Sequence, residues 1–135
     1  MRTTLDLVDI IWQTLTGSPV RDTITGAIYK HIRPVNSSKE DVVISSLPIV
    51  NLDLSQAVAM VNVFVPNKTQ NLNGAQDNSQ PDGARLKTLT DLAISALRDQ
   101  WGEDYNFDVQ QSVLIRDEIT ASWYYNIRLN FYSLT

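Results

Sequence analysis

The chain has 135 residues, a formal net charge of −4 and 43% hydrophobic residues. A chain of this length buries a core without covalent staples, so we expect a single domain over 1–135. The acidic balance disfavours nucleic acid as the main partner, because phosphate binding needs clustered Lys and Arg. The absence of cysteine excludes disulfides and thiolate chemistry. No apolar run approaches the roughly 18–20 residues of a membrane span, so we expect no membrane partner.

The first segment, 4–16, has the periodicity of an amphipathic helix. Thr3 or Thr4 can cap its start, and Gly17 with Pro19 ends it. Its apolar residues recur at spacings of three and four: Leu5, Val8, Ile11, Trp12 and Leu15. Such a helix needs another element to cover its apolar face.

Three strands are predicted next, at 27–33, 42–50 and 57–65. Pro48 cannot donate to a strand ladder, which indicates an edge, a bulge or an end there. The third strand is apolar on both faces, which is typical of a mid-sheet strand covered on both sides. We expect helices or another subunit to provide that cover.

The segment 66–83, PNKTQNLNGAQDNSQPDG, is predicted to be a long polar loop. Loops longer than about 12–15 residues are uncommon in compact domains and are usually functional or disordered. Asn73-Gly74 and Pro81-Asp82-Gly83 are turn signals, so the loop bends at least twice. It is either a tolerated mobile insertion or an arm that orders against a neighbouring subunit or a junction partner. The candidate interface residues within it are Asn67, Lys68, Asn71, Asn73, Gln76, Asp77 and Asn78.

A second helix is predicted at about 83–100, with Asp82 as its N-cap, followed by a strand at 105–117. The last segment, 120–134, alternates strictly between apolar and wetter positions, which predicts a strand with one core face. Tyr124 and Tyr132 lie on its outer face. Because tyrosine is enriched at interfaces, both are candidate interface residues.

These elements predict an α+β fold of order α-β-β-β-α-β-β. We expect a mostly antiparallel sheet of about five strands, with two helices packed on it.

Enzyme chemistry has no support in the sequence. His31 is the only histidine, and the carboxylates Glu103, Asp104 and Asp108 do not have the spacing of a calcium loop. The glycines form no phosphate-binding cluster. We therefore expect no catalytic residue, metal, cofactor or small-molecule substrate.

Basic residues cluster only around the connection between the first two predicted strands. Lys30, His31 and Arg33 could face DNA if the protein formed a ring. The competing interpretation is a solvated hairpin, because Glu40 and Asp41 lie nearby in the sequence.

Several stretches resemble tail-region proteins of phages and prophages. They are IYKHIRPVNSSKEDVVISSLPI, VNVFVPN, RLKTLTDLAISAL, DYNFDVQQ and NIRLNFYS. The order of elements is also similar to that of the tail completion proteins of long-tailed phages, which act as tail terminators or head–tail joining proteins. The resemblance covers roughly 5–134, and the long 66–83 loop departs from it.

The resemblance implies a structural virion protein without a cofactor that forms a homo-oligomeric ring, often a hexamer. Its partners would be copies of itself and the neighbouring tail-tube or neck proteins, with DNA passing through the lumen. It would be found in the virion, and in the bacterial cytoplasm during assembly. The alternative is a small intracellular protein-binding module, such as a phage assembly chaperone or regulator.

Overall fold

A computed structural model describes residues 2–50 and 54–134 and shows an α+β fold with three helices and eight strands. The helices are α1 (Thr4–Thr16), α2 (Val20–Thr23) and α3 (Gly83–Leu97). The strands are β1 (Ile28–Lys30), β2 (Asp41–Ser46), β3 (Leu54–Val65), β4 (Lys68–Leu72), β5 (Ala75–Gln80), β6 (Gln100–Trp101), β7 (Tyr105–Asp117) and β8 (Ser122–Leu134).

Six of the strands form one mixed sheet in the order β1-β2-β3-β8-β7-β6, and β4 pairs with β5 in a separate two-stranded sheet. In the main sheet β1 and β2 are parallel, and the remaining neighbours are antiparallel. The centre is the long ladder between β3 and β8, which runs from Leu54 opposite Leu134 to Val65 opposite Trp123.

The fold prediction of about five strands and two helices is therefore wrong. The sequence interpretation missed α2, the short β6 and the β4–β5 pair, and it treated β1 and β2 as a hairpin. Short elements such as β6 are poorly predicted from sequence because their pattern spans too few residues. Each of the five predicted strands and two predicted helices has a counterpart, but the predicted strand at 27–33 is reduced to the three residues of β1 and the strand at 42–50 ends at Ser46.

The core lies between one face of the main sheet and the two long helices. Alternate residues of β3 and β8 face the helices, since side chains alternate between the faces of a strand. Ala59, Val61 and Val63 pair with Leu129, Ile127 and Tyr125, in that order. The helices bury Leu7, Val8, Ile11 and Leu15 of α1, and Leu86, Leu89, Ala93 and Leu97 of α3.

Both long helices begin at side-chain caps. The Thr3 hydroxyl accepts from the backbone N–H of Asp6, and the Asp6 carboxylate accepts from the backbone N–H of Thr3. At α3, the Asp82 carboxylate accepts from the N–H of Arg85. These contacts satisfy N–H groups that have no partner within a helix, and so set where each helix starts. In the described ranges 2–50 and 54–134, no helix is long and apolar enough to cross a bilayer.

A partly buried ion pair joins α3 to Glu40, the residue immediately before β2. The Arg85 Nε lies 2.6 Å from Glu40 Oε2, and Arg85 Nη2 lies 2.9 Å from Glu40 Oε1. Arg85 Nη2 also donates to the Thr23 carbonyl at 2.7 Å. Glu40 is 7% exposed, and its Oε1 accepts from the N–H of Thr25. Hydrogen bonds from Arg85 lower the pKa of the Glu40 carboxyl, with a further contribution from the Thr25 N–H.

We predict that Glu40→Gln destabilises the fold by about 1–3 kcal/mol, because it leaves Arg85 without its charged partner. The folded pKa of Glu40 is lowered, so its contribution is fully present above the unfolded glutamate pKa of about 4.3 and is lost as pH falls below it. Urea unfolding of both chains between neutral pH and pH 3 measures this. The difference in unfolding free energy should shrink as the pH falls; a difference independent of pH contradicts the assignment.

Candidate interaction surface

The face of the sheet opposite the helices is covered by no described helix. We call it the open face. It consists of Val58, Met60, Asn62 and Phe64 on β3, and Tyr124, Asn126, Arg128, Asn130 and Tyr132 on β8. Most of these side chains are half-buried, since they shield one another, and they lie outside the helix-packed core.

The expected mid-sheet position of the third strand is confirmed, because β3 lies between β2 and β8. Cover by helices is found on one of its faces only within the described ranges. Cover of the open face by another subunit stays a prediction.

One end of the open face carries a stack of three side chains. The rings of Phe64 and Tyr124 lie 4.9 Å apart, and the guanidinium of Arg33 lies 4.4 Å from the centre of the Phe64 ring. Arg33 is held there by the fully buried carboxylate of Asp41, 2.8 Å from its Nη2. Asp41 also accepts from the Ser37 hydroxyl at 2.5 Å. The stack is therefore fixed in place by a charged group beneath it.

The middle of the open face is polar. The Asn126 amide donates to the Asn62 side-chain oxygen at 2.7 Å across the two strands. Arg128 lies opposite Met60, and its buried Nε has no hydrogen-bond partner among the described residues. A surface that combines aromatic rings, amides and an arginine resembles the composition of protein–protein interfaces.

A groove lies at the other end of the open face. Its volume is about 400 Å³, and it lies between Pro48 and Tyr132. Leu47 and Val50 at its rim are 38% and 58% exposed. Tyr132 therefore lies in mostly apolar surroundings, far from Tyr124. The two tyrosines that were predicted to be interface residues lie at opposite ends of the same face.

The predicted long loop is wrong in its conformation. Most of 66–83 is a β-hairpin, formed by β4 and β5 with Asn73-Gly74 as its two-residue turn. We call residues 68–80 the arm. The turn residues have φ values of 53° and 79°, which is the geometry that Asn-Gly favours. The sequence interpretation used Asn-Gly as a bend but not as a hairpin signal, because the flanking residues lack strand-forming side chains apart from Thr69.

The arm is fixed to the body at its base. Trp123 Nε1 donates to the Ser79 carbonyl at 2.9 Å, and the Asn67 amide donates to the Ala121 carbonyl at 2.8 Å. Asp77 accepts from both the hydroxyl and the N–H of Ser79, the hydroxyl being the larger cause of its lowered pKa. Elsewhere the arm pairs extensively only with itself, among the strands and helices described.

The predicted interface residues of the segment fall in two places. Asn67 lies at the base of the arm, where its side chain is used for the tether. The remaining ones lie in the arm and are exposed except for Asp77, which is half-buried: Lys68, Asn71, Asn73, Gln76, Asp77 and Asn78. The structure thus brings these residues together but separates them from Tyr132.

The three basic residues predicted to face DNA do not form one patch. Lys30 lies on the helix side, with its Nζ 2.6 Å from Asp9 and 4.8 Å from the centre of the Trp12 ring. Arg33 contacts the opposite, open face of the sheet. His31 lies between them, exposed and with a φ of 72°. A role for them in contacting DNA stays a prediction.

The predicted acidic cluster after α3, formed by Glu103, Asp104 and Asp108, is divided among separate contacts. Asp104 pairs with Arg2 at 2.5 Å, and Asp108 accepts from the N–H of Asp99 at 2.9 Å. That hydrogen bond is the main reason that the pKa of Asp108 is lowered. Over residues 2–50 and 54–134, no group of three or more histidine or acidic side chains is arranged to hold a metal ion.

Sequence reasoning missed one further feature, the outer edge of β7. β6 pairs only with its first part, at Asn106 and Phe107. β7 has 13 residues and β6 has two, so most of the outer edge of β7 extends beyond β6. The sequence indicates the length of β7, but not which strand lies beside it.

A scan against models of known protein families and a search of curated proteins found no match to this chain.

We predict that Trp123→Phe loosens the arm, because it removes the hydrogen bond to the Ser79 carbonyl. Amide hydrogen exchange within 68–80 should become faster, while the unfolding free energy changes by at most about 1.5 kcal/mol. Trp12→Phe is the matched control, since it removes an indole bond to the Ile28 carbonyl instead. Unchanged exchange in the arm of the Trp123 variant contradicts the tether.

Proposed function

We propose that this protein is a structural component of a phage virion at the tail or the head–tail junction, where it forms a homo-oligomeric ring. In this role it has no catalytic activity, and its partners are copies of itself and the adjoining tail-tube or neck proteins. The phrases shared with phage tail-region proteins motivate the assignment. The observation that carries it is a sheet with one face covered by helices and the other left open.

The open face supports the proposal through its chemistry. Its half-exposed side chains include Val58, Phe64 and Tyr132. Removing their apolar surface from water stabilises a complex by about 25 cal/mol per Å². The apolar groove beside Tyr132 extends this area to the end of the sheet. A ring offers each copy two different neighbours, which can cover surfaces that one chain leaves open.

The arm supports the proposal of a ring independently of the open face. A polar hairpin that packs on little of its own chain is a means of reaching another molecule, and isolated two-stranded hairpins are marginally stable in water. Contacts with a neighbouring subunit would stabilise it.

A second candidate function is a monomeric or dimeric binding module, such as a phage assembly chaperone or regulator. It is favoured by the same open face, whose mixture of aromatic, amide and arginine side chains fits a single protein partner. The two functions differ in the assembly state of the purified protein and in its presence in virions.

We predict that the purified chain forms rings, seen by light-scattering mass measurement and electron microscopy, and is present in virions. Val58→Lys should prevent ring formation, because it places a charge on the open face opposite Asn130. Thr88→Lys, an equal charge on the exposed side of α3, should leave the rings intact. A chain that stays monomeric at high concentration and is absent from virions rules out the virion role and favours the binding module.

A further inference from the structure

Among residues 2–50 and 54–134, one side of β7 lacks a strand partner over most of its length. In the main sheet, β6 reaches only Asn106 and Phe107, so within the described part of the chain 108–117 has a neighbour on the β8 side alone. Val113 and Leu114 on this edge are 48% and 40% exposed. Unpaired N–H and C=O groups along a strand edge are a template for a further strand.

This edge has little of the usual protection. Natural edges are protected by bulges, prolines or charged side chains, lysine in particular. The bulge of β7 lies between Val109 and Gln111, which leaves 111–117 in regular register with β8. That stretch, QSVLIRD, contains no proline and no lysine, and its two charged residues, Arg116 and Asp117, lie at its end.

The arm has the complementary property. Its two strands pair with each other, and both of its outer edges lack a strand partner among the described residues. Of the two strands β4 is the more regular, because the extra residue of the bulge lies in β5, between Asp77 and Gln80. Within the described residues, one chain therefore contains two kinds of unpaired strand edge, the outer edge of β4 and the outer edge of β7.

We infer that β4 of one copy pairs antiparallel with the β7 edge of the next copy, so that each subunit donates one arm and receives another. This rests on the proposed ring function and names a second contact that the ring requires, besides cover of the open face. In the register that we assign, Lys68 lies opposite Asp117, and Leu72 lies opposite Val113. Opposite charges and apolar side chains placed directly across a sheet are stabilising.

The backbone of the arm fits this register. A two-residue turn makes Leu72 and Ala75 the hydrogen-bonded pair that closes the hairpin. Since such pairs alternate along an antiparallel ladder, Thr69 and Asn71 direct their N–H and C=O groups outward.

The backbone of β7 fits it too. The N–H of Gly102 donates to the Tyr105 carbonyl, so Tyr105 directs its backbone groups toward the outer edge of β7, away from β8. Alternation along the strand, shifted by the one extra residue of the bulge, does the same for Leu114 and Arg116. The assigned register places these two residues opposite Asn71 and Thr69 of the arm.

The contact is heterologous, because the two surfaces that meet are different. Such contacts repeat from copy to copy and close into a ring when the rotation allows it. A symmetric pairing of β7 with β7 satisfies the edge but leaves both arms unpaired. The arm-to-edge pairing satisfies both elements at once.

Complementation between two variants tests the inference. In one chain 68–80 is replaced by a four-residue turn, which removes the arm; in the other, Leu114→Pro removes an outward N–H from the edge. Each variant alone should be monomeric by light scattering. Their mixture should give a 1:1 heterodimer and nothing larger, because one intact arm and one intact edge remain.

Val113→Lys replaces the proline variant if that chain does not fold. Ile119→Lys, in the turn after β7, is the control that should still form rings.

The outcomes separate this contact from the proposed function. Rings formed by the arm-shortened chain or by the edge-blocked chain overturn the arm-to-edge pairing and leave the ring function standing. An unaltered chain that is monomeric at high concentration and absent from virions overturns both. Dimers of the arm-shortened chain indicate the symmetric β7 pairing instead.

Engineered disulfides test the register, since the natural chain has no cysteine. Chains carrying Leu72→Cys and Val113→Cys should form a mixed disulfide on oxidation, because Cα atoms directly opposite in an antiparallel pair lie about 4.5–5.5 Å apart. Thr88→Cys in place of Leu72→Cys should give none. A disulfide between two Val113→Cys chains in preference to the mixed one contradicts the assignment.

Discussion

The pairing of β3 with β8 is the interaction on which the remaining structure depends. It joins 54–65 to 123–134, and each half of the sheet is attached to one of these two strands. Because side chains point alternately to the two faces along both strands, one register sorts every side chain onto the helix face or the open face. A slip by one residue would exchange the two faces and bury the wrong set. The helices can therefore cover a single, uniformly apolar surface.

The same register explains why the two faces of the sheet carry different side chains. On the helix side, small and branched residues such as Ala59 and Val61 let α1 and α3 pack closely. On the other side the larger Phe64 and Tyr124 stack on each other, and Arg33 lies over the Phe64 ring. The sheet thus completes its core with two long helices and keeps a second surface whose side chains are ordered but still in contact with water.

Much of the framework could be predicted from the sequence, and the reasons for the failures are specific. The period of 120–134 and the cap at Asp82 are local signals, so they predicted β8 and the start of α3 correctly. The parallel direction of the β1–β2 pair could not be predicted, because a local pattern indicates that a strand is present but not the direction in which it pairs. The arm was missed because its residues are polar, although the Asn-Gly turn was visible. The unpaired edge of β7 is a property of topology, which no local pattern encodes.

The order of the strands also has a consequence for how the chain is made. β3 and β7 become parts of one sheet only through β8, which follows both of them in the sequence. During synthesis the elements up to β7 therefore emerge as two incomplete halves with apolar surface exposed. Such long-range pairing is slow, and incompletely paired strands are prone to aggregate. Cooperative folding thus waits for the segment after Asp117, so the subunit reaches its folded form only once that segment has left the ribosome.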